Sequence, residues 1–321
     1  MGDVKNDVDV LVYGSAIVDF ICYVDRLPKE GETIRGHKFE NGFGGKGANQ
    51  CVAAARLGSK CALIAKVGND TWGEKYLENL QKEGVNTRHA KACEGKSTGI
   101  AQIAVSNDGE NNIIIVTGAN DCLDGSDVHE AGYLFDSAQV LLCQLETSVA
   151  GTLEALKRFK GISVLNAAPA MANTPKELLQ SASILCVNET EAALMTQTED
   201  IKTLEQAKLA TKKLMEMGAN TVIITLGSQG AVYSEKGNSE KCYHVPGQKV
   251  DKVVDTTGAG DAFLGALAYH MAKYPEKSLH QHIGYASLQA SYSVQYPGTQ
   301  SSFPKAQSCP STSQEFPYQA I

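Results

Sequence analysis

The stretch Asp255-Thr256-Thr257-Gly258-Ala259-Gly260-Asp261 runs on into Ala262-Phe263-Leu264-Gly265-Ala266-Leu267, an apolar segment with helical spacing. The amides of Gly258, Ala259 and Gly260 therefore fall at a helix N-terminus, where unpaired N–H groups and the macrodipole favour an anion. Asp261 falls in the first turn. A carboxylate there can cap the helix. Beside an anion nest it can also take a hydroxyl proton while the backbone donors hold the charge of a transferred phosphoryl group. The stretch reads as the catalytic centre of a kinase.

A second glycine-rich stretch, Gly42-Phe43-Gly44-Gly45-Lys46-Gly47-Ala48-Asn49-Gln50, matches GxGxxG at Gly42, Gly44 and Gly47. The context argues against a dinucleotide fingerprint, because the polar segment His37-Lys38-Phe39-Glu40-Asn41 stands where a buried strand should end. It is not a Walker A loop either, since Gly47 follows Lys46 where Ser or Thr is required. Glycines let backbone amides approach a ligand closely, and Lys46 and Asn49 add donors.

Elements must carry these residues to one place. Val8 to Tyr13 reads as a buried parallel strand, and the loop expected after Gly14 carries Asp19, either a turn residue or an acceptor for ligand hydroxyls. Further apolar strands are predicted at Cys61 to Val67, Val140 to Cys143, Ser163 to Leu165, Ile184 to Val187 and Thr221 to Leu226. Their carboxyl ends deliver Gln144, Glu146, Asn166 and Asn188, on the edge where parallel α/β sheets bind ligands. Glu146 can equally be a solvated loop carboxylate. Asn188-Glu189-Thr190-Glu191 opens a helix, where acidic residues are common for dipole reasons alone. Ser97 to Val105 and Asn111 to Val116, joined through Asn107-Asp108-Gly109, read as a β-hairpin forming a small sheet outside the main one. Ser287 to Val294 is helical, and Tyr296-Pro297-Gly298-Thr299-Gln300-Ser301-Ser302 leaves it as a loop whose carbonyls, beside Asp255, suit a weakly hydrated monovalent cation. Lys305 to Ile321 is rich in Ser, Gln and Pro without periodicity and reads as an irregular tail.

The chain has 321 residues and a net charge of −7. That length is enough for a substantial core, and the charge gives no basic field for nucleic acid or an anionic membrane. The nine cysteines are scattered without a CxxC pair. With an N-terminus lacking an apolar signal-like core and no membrane-length apolar run, this usage sets cytoplasmic localisation as the expectation.

The two glycine-rich stretches resemble the signatures of the ribokinase-like carbohydrate kinases. Cys143-Gln144-Leu145-Glu146, Asn166-Ala167-Ala168-Pro169, Asn188-Glu189-Thr190-Glu191, Ile224-Thr225-Leu226-Gly227 and Gly298-Thr299-Gln300-Ser301-Ser302 extend the likeness, which runs from about Val8 to about Pro304. The resemblance implies a three-layer α/β/α fold with a mostly parallel central sheet, in one domain over 8–304. A small β-sheet lid would come from about 15–45 and 97–118, and two lids would meet in a homodimer. The activity implied is ATP-dependent phosphorylation of D-ribose at O5. The alternatives are deoxyribose, fructose or a nucleoside as acceptor.

The same resemblance assigns Asp19, Gly45, Lys46, Asn49, Glu146 and Asp261 to the sugar. It assigns Asn188, Thr225, Gly227, Ser228, Gly230, Gly260 and Ser287 to ATP. Glu191 would reach Mg²⁺ through water, and K⁺ would lie near Asp255, Thr257, Ser293, Tyr296, Gly298 and Ser302. One departure is Ile17, where many bacterial members place Asn, at the cost of a polar contact. Adenosine kinases of the superfamily grip the purine with aromatic lid residues, whereas Ser97 to Gly118 contains no Phe, Tyr or Trp, so a small polyol suits this lid better. A non-catalytic sugar sensor would keep the pocket and lose the base; Asp261 is present.

Overall fold

A computed structural model describes residues 8–238, 241–308 and 314–321. The chain begins with β1 (Val10–Tyr13), β2 (Ile17–Val24), β3 (Lys38–Gly44), α1 (Lys46–Arg56), β4 (Cys61–Gly68), α2 (Thr71–Lys82) and β5 (Asn86–Cys93). Then come β6 (Gly99–Ser106), β7 (Asn111–Val116), α3 (Gly125–Glu130), α4 (Gly132–Ser137), β8 (Val140–Cys143), α5 (Val149–Arg158) and β9 (Ile162–Asn166). The second half contributes α6 (Lys176–Ser181), β10 (Ile184–Asn188), α7 (Glu189–Thr196), α8 (Leu204–Glu216), β11 (Thr221–Thr225), β12 (Ala231–Ser234) and β13 (Tyr243–Val245). It closes with α9 (Ala259–Lys273), α10 (Leu279–Ser293) and β14 (Gln319–Ala320).

The main sheet has ten strands in the order β14-β13-β12-β11-β10-β9-β8-β1-β4-β5, parallel from β5 to β11 and antiparallel beyond. β1 lies in the middle, with Val10 opposite both Cys61 and Val140. Because strand side chains alternate, Val10 and Val12 enter one core with α1 and α9, while Leu11 and Tyr13 enter the other, with the helices from α3 to α8. This is the expected three-layer α/β/α arrangement.

The smaller sheet has the order β3-β2-β6-β7. β2 pairs antiparallel with β3 and parallel with β6, and β6 and β7 form the expected hairpin. Asn120 pins the root of this lid, accepting from the Ala16 amide at 2.8 Å and donating to the Ala16 carbonyl at 2.9 Å. Ile17 is buried at the start of β2, on the strand face it shares with Asp19.

Two expectations are corrected. Asp19 lies on β2 and not on a loop, because pairing with β3 and β6 on both sides overrides the turn preference of Asp. The tail over 314–321 is ordered against the domain: β14 pairs with β13, and Phe316 is buried against α10. The Gln281 side chain accepts from the Phe316 amide at 3.1 Å and donates to its carbonyl at 3.0 Å. A two-residue strand and one anchoring aromatic ring leave no periodicity to read. Residues 316–320 thus pack against the main sheet and α10, and 309–313 lie outside the described residues. Among the described residues no helix is long and apolar enough to cross a membrane.

Candidate active site

Packing of α1 against α9 brings the two glycine-rich stretches together. Gly265 makes the crossing close: a Cβ there would lie 2.5 Å from the Ala53 Cβ and 2.6 Å from the Gln50 carbonyl oxygen. At the start of α9, Gly258 takes φ +77°, a left-handed conformation that side chains disfavour, and so turns the chain into the helix. The Ala259 amide is bonded to the Thr256 carbonyl at 3.2 Å, and the Gly258 carbonyl accepts from Ala262 at 2.8 Å.

Asp261 does not cap α9 with its side chain. Its carboxylate accepts instead from the Asn49 amide at 2.9 Å and the Gln50 amide at 3.0 Å, both on α1. Burial pushes its pKa up, and Lys46, Asn49 and Gln50 hold it back. A carboxyl raised by desolvation is a stronger base than a solvated one. Gln50 in turn donates to Asn166 at 3.1 Å and accepts from Gln144 at 2.7 Å. Gln50 and Gln144 thus link Asp261 to the end of β8; the sequence puts Gln144 on the ligand edge but gives no sign of the bond from Gln50 to Asp261.

Lys46 faces several carboxylates. Burial opposes its charge, but Asp261, Glu146 and Glu191 outweigh that and raise its pKa. Glu146 is half-buried and accepts from Ser15 Oγ at 2.5 Å and from the Lys46 amide at 2.8 Å, fixing the start of α1 against the end of β1. Gly45 is the N-cap of α1. Asp19 lies over Gly44, and burial, then Glu146 and Asp261, push its carboxyl up to about 7.

A cavity of about 180 Å³ opens beside Asp261, lined among others by Lys46, Asn188, Glu191, Thr225 and Gly258. Asn188 and Glu191 form a capping box for α7, each side chain accepting from the other's amide at 2.8 Å. Burial raises the Glu191 carboxyl. Gly227 and Ser228 sit in a 3-10 turn after β11, and Gly230 lies against Val245 and Gly247; these residues, with Ser287 on α10, are outside the cavity lining.

The oxygen-rich loop after α10 meets the approach to α9 through Asp255. Its carboxylate accepts from Thr257 N and Gly298 N, each at 2.9 Å. Burial pushes its carboxyl up, but the Thr257 hydroxyl together with those two amides outweighs it and lowers its pKa. The Ser293 and Ser302 hydroxyls donate to the Ala290 and Thr299 carbonyls at 2.9 and 2.8 Å, and the Tyr296 amide donates to the Ser293 carbonyl at 3.1 Å. What this junction presents to a cation is a carboxylate and main-chain oxygens, a donor set that fits a hard ion. Among the described residues no group of three or more His, Cys, Asp or Glu is arranged to hold a metal ion.

An anion nest and a base at one helix start, with a sheet-built lid above them, define a phosphotransferase acting on a small hydroxyl compound. Comparison narrows the class: the model of the pfkB family carbohydrate kinases matches residues 7–306, and the chain belongs to that family. It is 45% identical to a ribokinase of Mus musculus, over 94% of this chain and 93% of that one. It is 36% identical to a deoxyribokinase of Salmonella typhi, over 92% and 96%. The structure of an Arabidopsis thaliana ribokinase complexed with ribose and ATP superposes with a TM-score of 0.86 at 33% identity, covering 94% of this chain and 97% of that one.

Proposed function

We propose that this chain transfers the γ-phosphoryl group of ATP to O5 of D-ribose. The observation that carries the reading is Asp261, held by Asn49 and Gln50 beside Lys46 at the mouth of the Gly258–Gly260 nest. Ribose would lie beneath the lid, its hydroxyls bonded by Asp19, Asn49, Lys46 and Glu146 and by the backbone at Gly45. Asp261 takes the O5 proton as O5 bonds to the γ-phosphorus. The bond from that phosphorus to the β–γ bridging oxygen breaks, ADP leaves, and the proton then passes from Asp261 to solvent. The nest amides and Lys46 stabilise charge on the transferred group.

ATP would occupy the cavity along Asn188, Thr225 and Gly260, with Gly227, Ser228, Gly230 and Ser287 farther out. Mg²⁺ carried with ATP would neutralise phosphate charge, with Glu191 reaching it through water. K⁺ would lie between Asp255, Thr257 and the oxygens of Ser293, Tyr296, Gly298 and Ser302. The free thiols of all eight described cysteines suit a reducing compartment, which supports a cytoplasmic setting. The edge strand β7 exposes Ile113, Ile114, Ile115 and Val116, each about half accessible, which supports a homodimer through the lids.

The test is Asp261→Asn. Folding and ATP binding should persist while kcat falls about 10²–10⁴-fold, the worth of a positioned base; near-normal turnover would remove Asp261 from the chemistry. The likeness to a deoxyribokinase favours one second reading, 2-deoxyribose as acceptor. Comparing kcat/KM for ribose, 2-deoxyribose, fructose and adenosine decides between them, and a preference for deoxyribose would overturn the ribose assignment.

A further inference from the structure

The Asn49 side chain that donates to Asp261 is itself held from behind. Its Oδ1 accepts from Gln300 Nε2 at 3.0 Å, and Gln300 Oε1 accepts from Asn79 Nδ2 at 3.0 Å. These residues come from α1, the loop after α10, and α2. Asn49 and Gln300 are buried, so water does not compete for their amides, while Asn79 is half-buried.

The direction of the chain is fixed at Asp261 and again at Gln300. An ionised carboxylate only accepts, so Asn49 must turn its NH₂ to Asp261 and its oxygen to Gln300. Gln300 must then present NH₂ to Asn49 and oxygen to Asn79. Tyr76 supplies a second constraint: its hydroxyl donates to the Gly44 carbonyl, leaving its oxygen to accept from Gln300 Nε2 at 3.4 Å. Turning the Gln300 amide round would set its oxygen against two acceptors. The backbone is held as well, because Arg56 donates to the carbonyls of Gln300 and Phe303 while Glu83 grips its guanidinium through two bonds of 2.7 Å.

We propose that Gln300 and Asn79 are positioning residues for the reaction, forming with Asn49 a one-way amide relay that commits a hydrogen-bond donor to the base. The inference rests on Asp261 being that base. Reversing the relay puts a carbonyl oxygen against the Asp261 carboxylate, which disfavours its charged form and rotates it out of line. Gln50 remains as a donor. The charges facing Asp261 are Lys46 on α1, Asp19 on β2, Glu146 beyond β8 and Glu191 on α7. None of these is changed by a substitution at Asn79 or Gln300, but Asn79→Asp adds a carboxylate of its own; the part of its shift that is lost in a Gln300→Leu background, where the charge stays and the relay is cut, reports the relay.

The experiment uses the full chain with saturating Mg²⁺-ATP and ribose. It compares pH profiles of kcat for Asn79→Asp, Asn79→Leu, Gln300→Glu and Asp261→Asn, and for Gln300→Leu with and without Asn79→Asp. A carboxylate at position 79 accepts from the Gln300 NH₂ and turns the relay round; leucine removes a donor without imposing the reverse. Asn79→Asp and Gln300→Glu should move the acidic limb up by about one pH unit, which lowers kcat about tenfold at pH values well below the limb of the parent, with KM for ATP unchanged. Asn79→Leu should lose less than Asn79→Asp and leave the acidic limb nearer that of the parent, because it frees Gln300 without imposing the reverse orientation. An unshifted limb in Asn79→Asp, equal losses for Asp and Leu, or a shift kept whole in the Gln300→Leu background would overturn the relay. Should Gln300→Glu fail to fold, Asn79→Asp at its half-buried site carries the test. Full activity in Asp261→Asn would overturn the base assignment instead, and an inactive Asp261→Asn beside silent relay variants would overturn the relay alone.

Discussion

The carboxyl of Asp19 lies beneath the lid with Glu146 and Asp261 for neighbours, and burial with those charges pushes it up to about 7 from an ordinary value of 3.8. Across that interval the folded chain holds a proton that the unfolded chain has released, so stability falls as pH rises through it. Above about 7 the full destabilisation stands, as a buried charge without compensation. Asp19→Asn should therefore raise Tm at pH 8, on the order of 2–4 °C for each kcal/mol relieved, and leave it nearly unchanged at pH 4. It should also raise KM for ribose far more than KM for ATP, because the ionised carboxylate is the stronger acceptor for sugar hydroxyls. Differential scanning calorimetry at the two pH values checks the first claim. A lower Tm at pH 8 would mean that the carboxylate holds the lid together, with any sugar role secondary.

At the scale of elements, the start of α9 and the loop after α10 meet through Asp255, whose oxygens bond Thr257 N and Gly298 N. A carboxylate this close to an anion site repels phosphate, and a bound cation would cancel that repulsion while leaving the nest amides aimed at the phosphoryl group. With Mg²⁺-ATP and ionic strength fixed, initial rates should be highest in K⁺ and fall in Na⁺ or tetramethylammonium. Asp255→Ala should flatten that difference. Equal rates in all three salts would leave Asp255 as a loop-fixing residue only.

The same scale shows what could be read in the sequence. The Gly258–Asp261 and Gly45–Asn49 stretches were legible because each lies within one helix start, where local spacing fixes geometry. The donors on Asp261 were not, because Asn49 and Gln50 reach it across 212 and 211 positions of chain, and only the packing of α1 on α9 brings them there. Asp19 was placed on a loop because strand pairing is nonlocal, and no local feature separates a lid strand from a turn around one Asp. Asn188 and Glu191 showed the opposite limit: their spacing announced a helix start, and the capping box bears that out while leaving a ligand role to be tested.

For the whole molecule, the lid raises the question of what covers it. β7 is one edge of the smaller sheet, opposite β3, and Ile113, Ile114 and Ile115 are 52, 65 and 51% exposed. An apolar edge strand of this kind presents unpaired backbone groups and costs solubility unless another chain shields it. Because consecutive strand residues alternate in facing, Ile114 points to one side of the sheet and Ile113 and Ile115 to the other, so contact made along the edge shields both sides at once. A second copy of the same edge would satisfy this with two-fold symmetry, each lid then supporting its partner over the proposed sugar site. Ile114→Lys puts a charge into that contact without touching the main sheet. Light scattering should show the dimer mass halved, and kcat/KM for ribose should fall as the unsupported lid opens, while Tm of the main domain changes little. A variant that keeps the mass of the unmodified protein, or a parent that is monomeric at the concentrations assayed, would rule out β7 as the interface, and the exposed isoleucines would then need another partner.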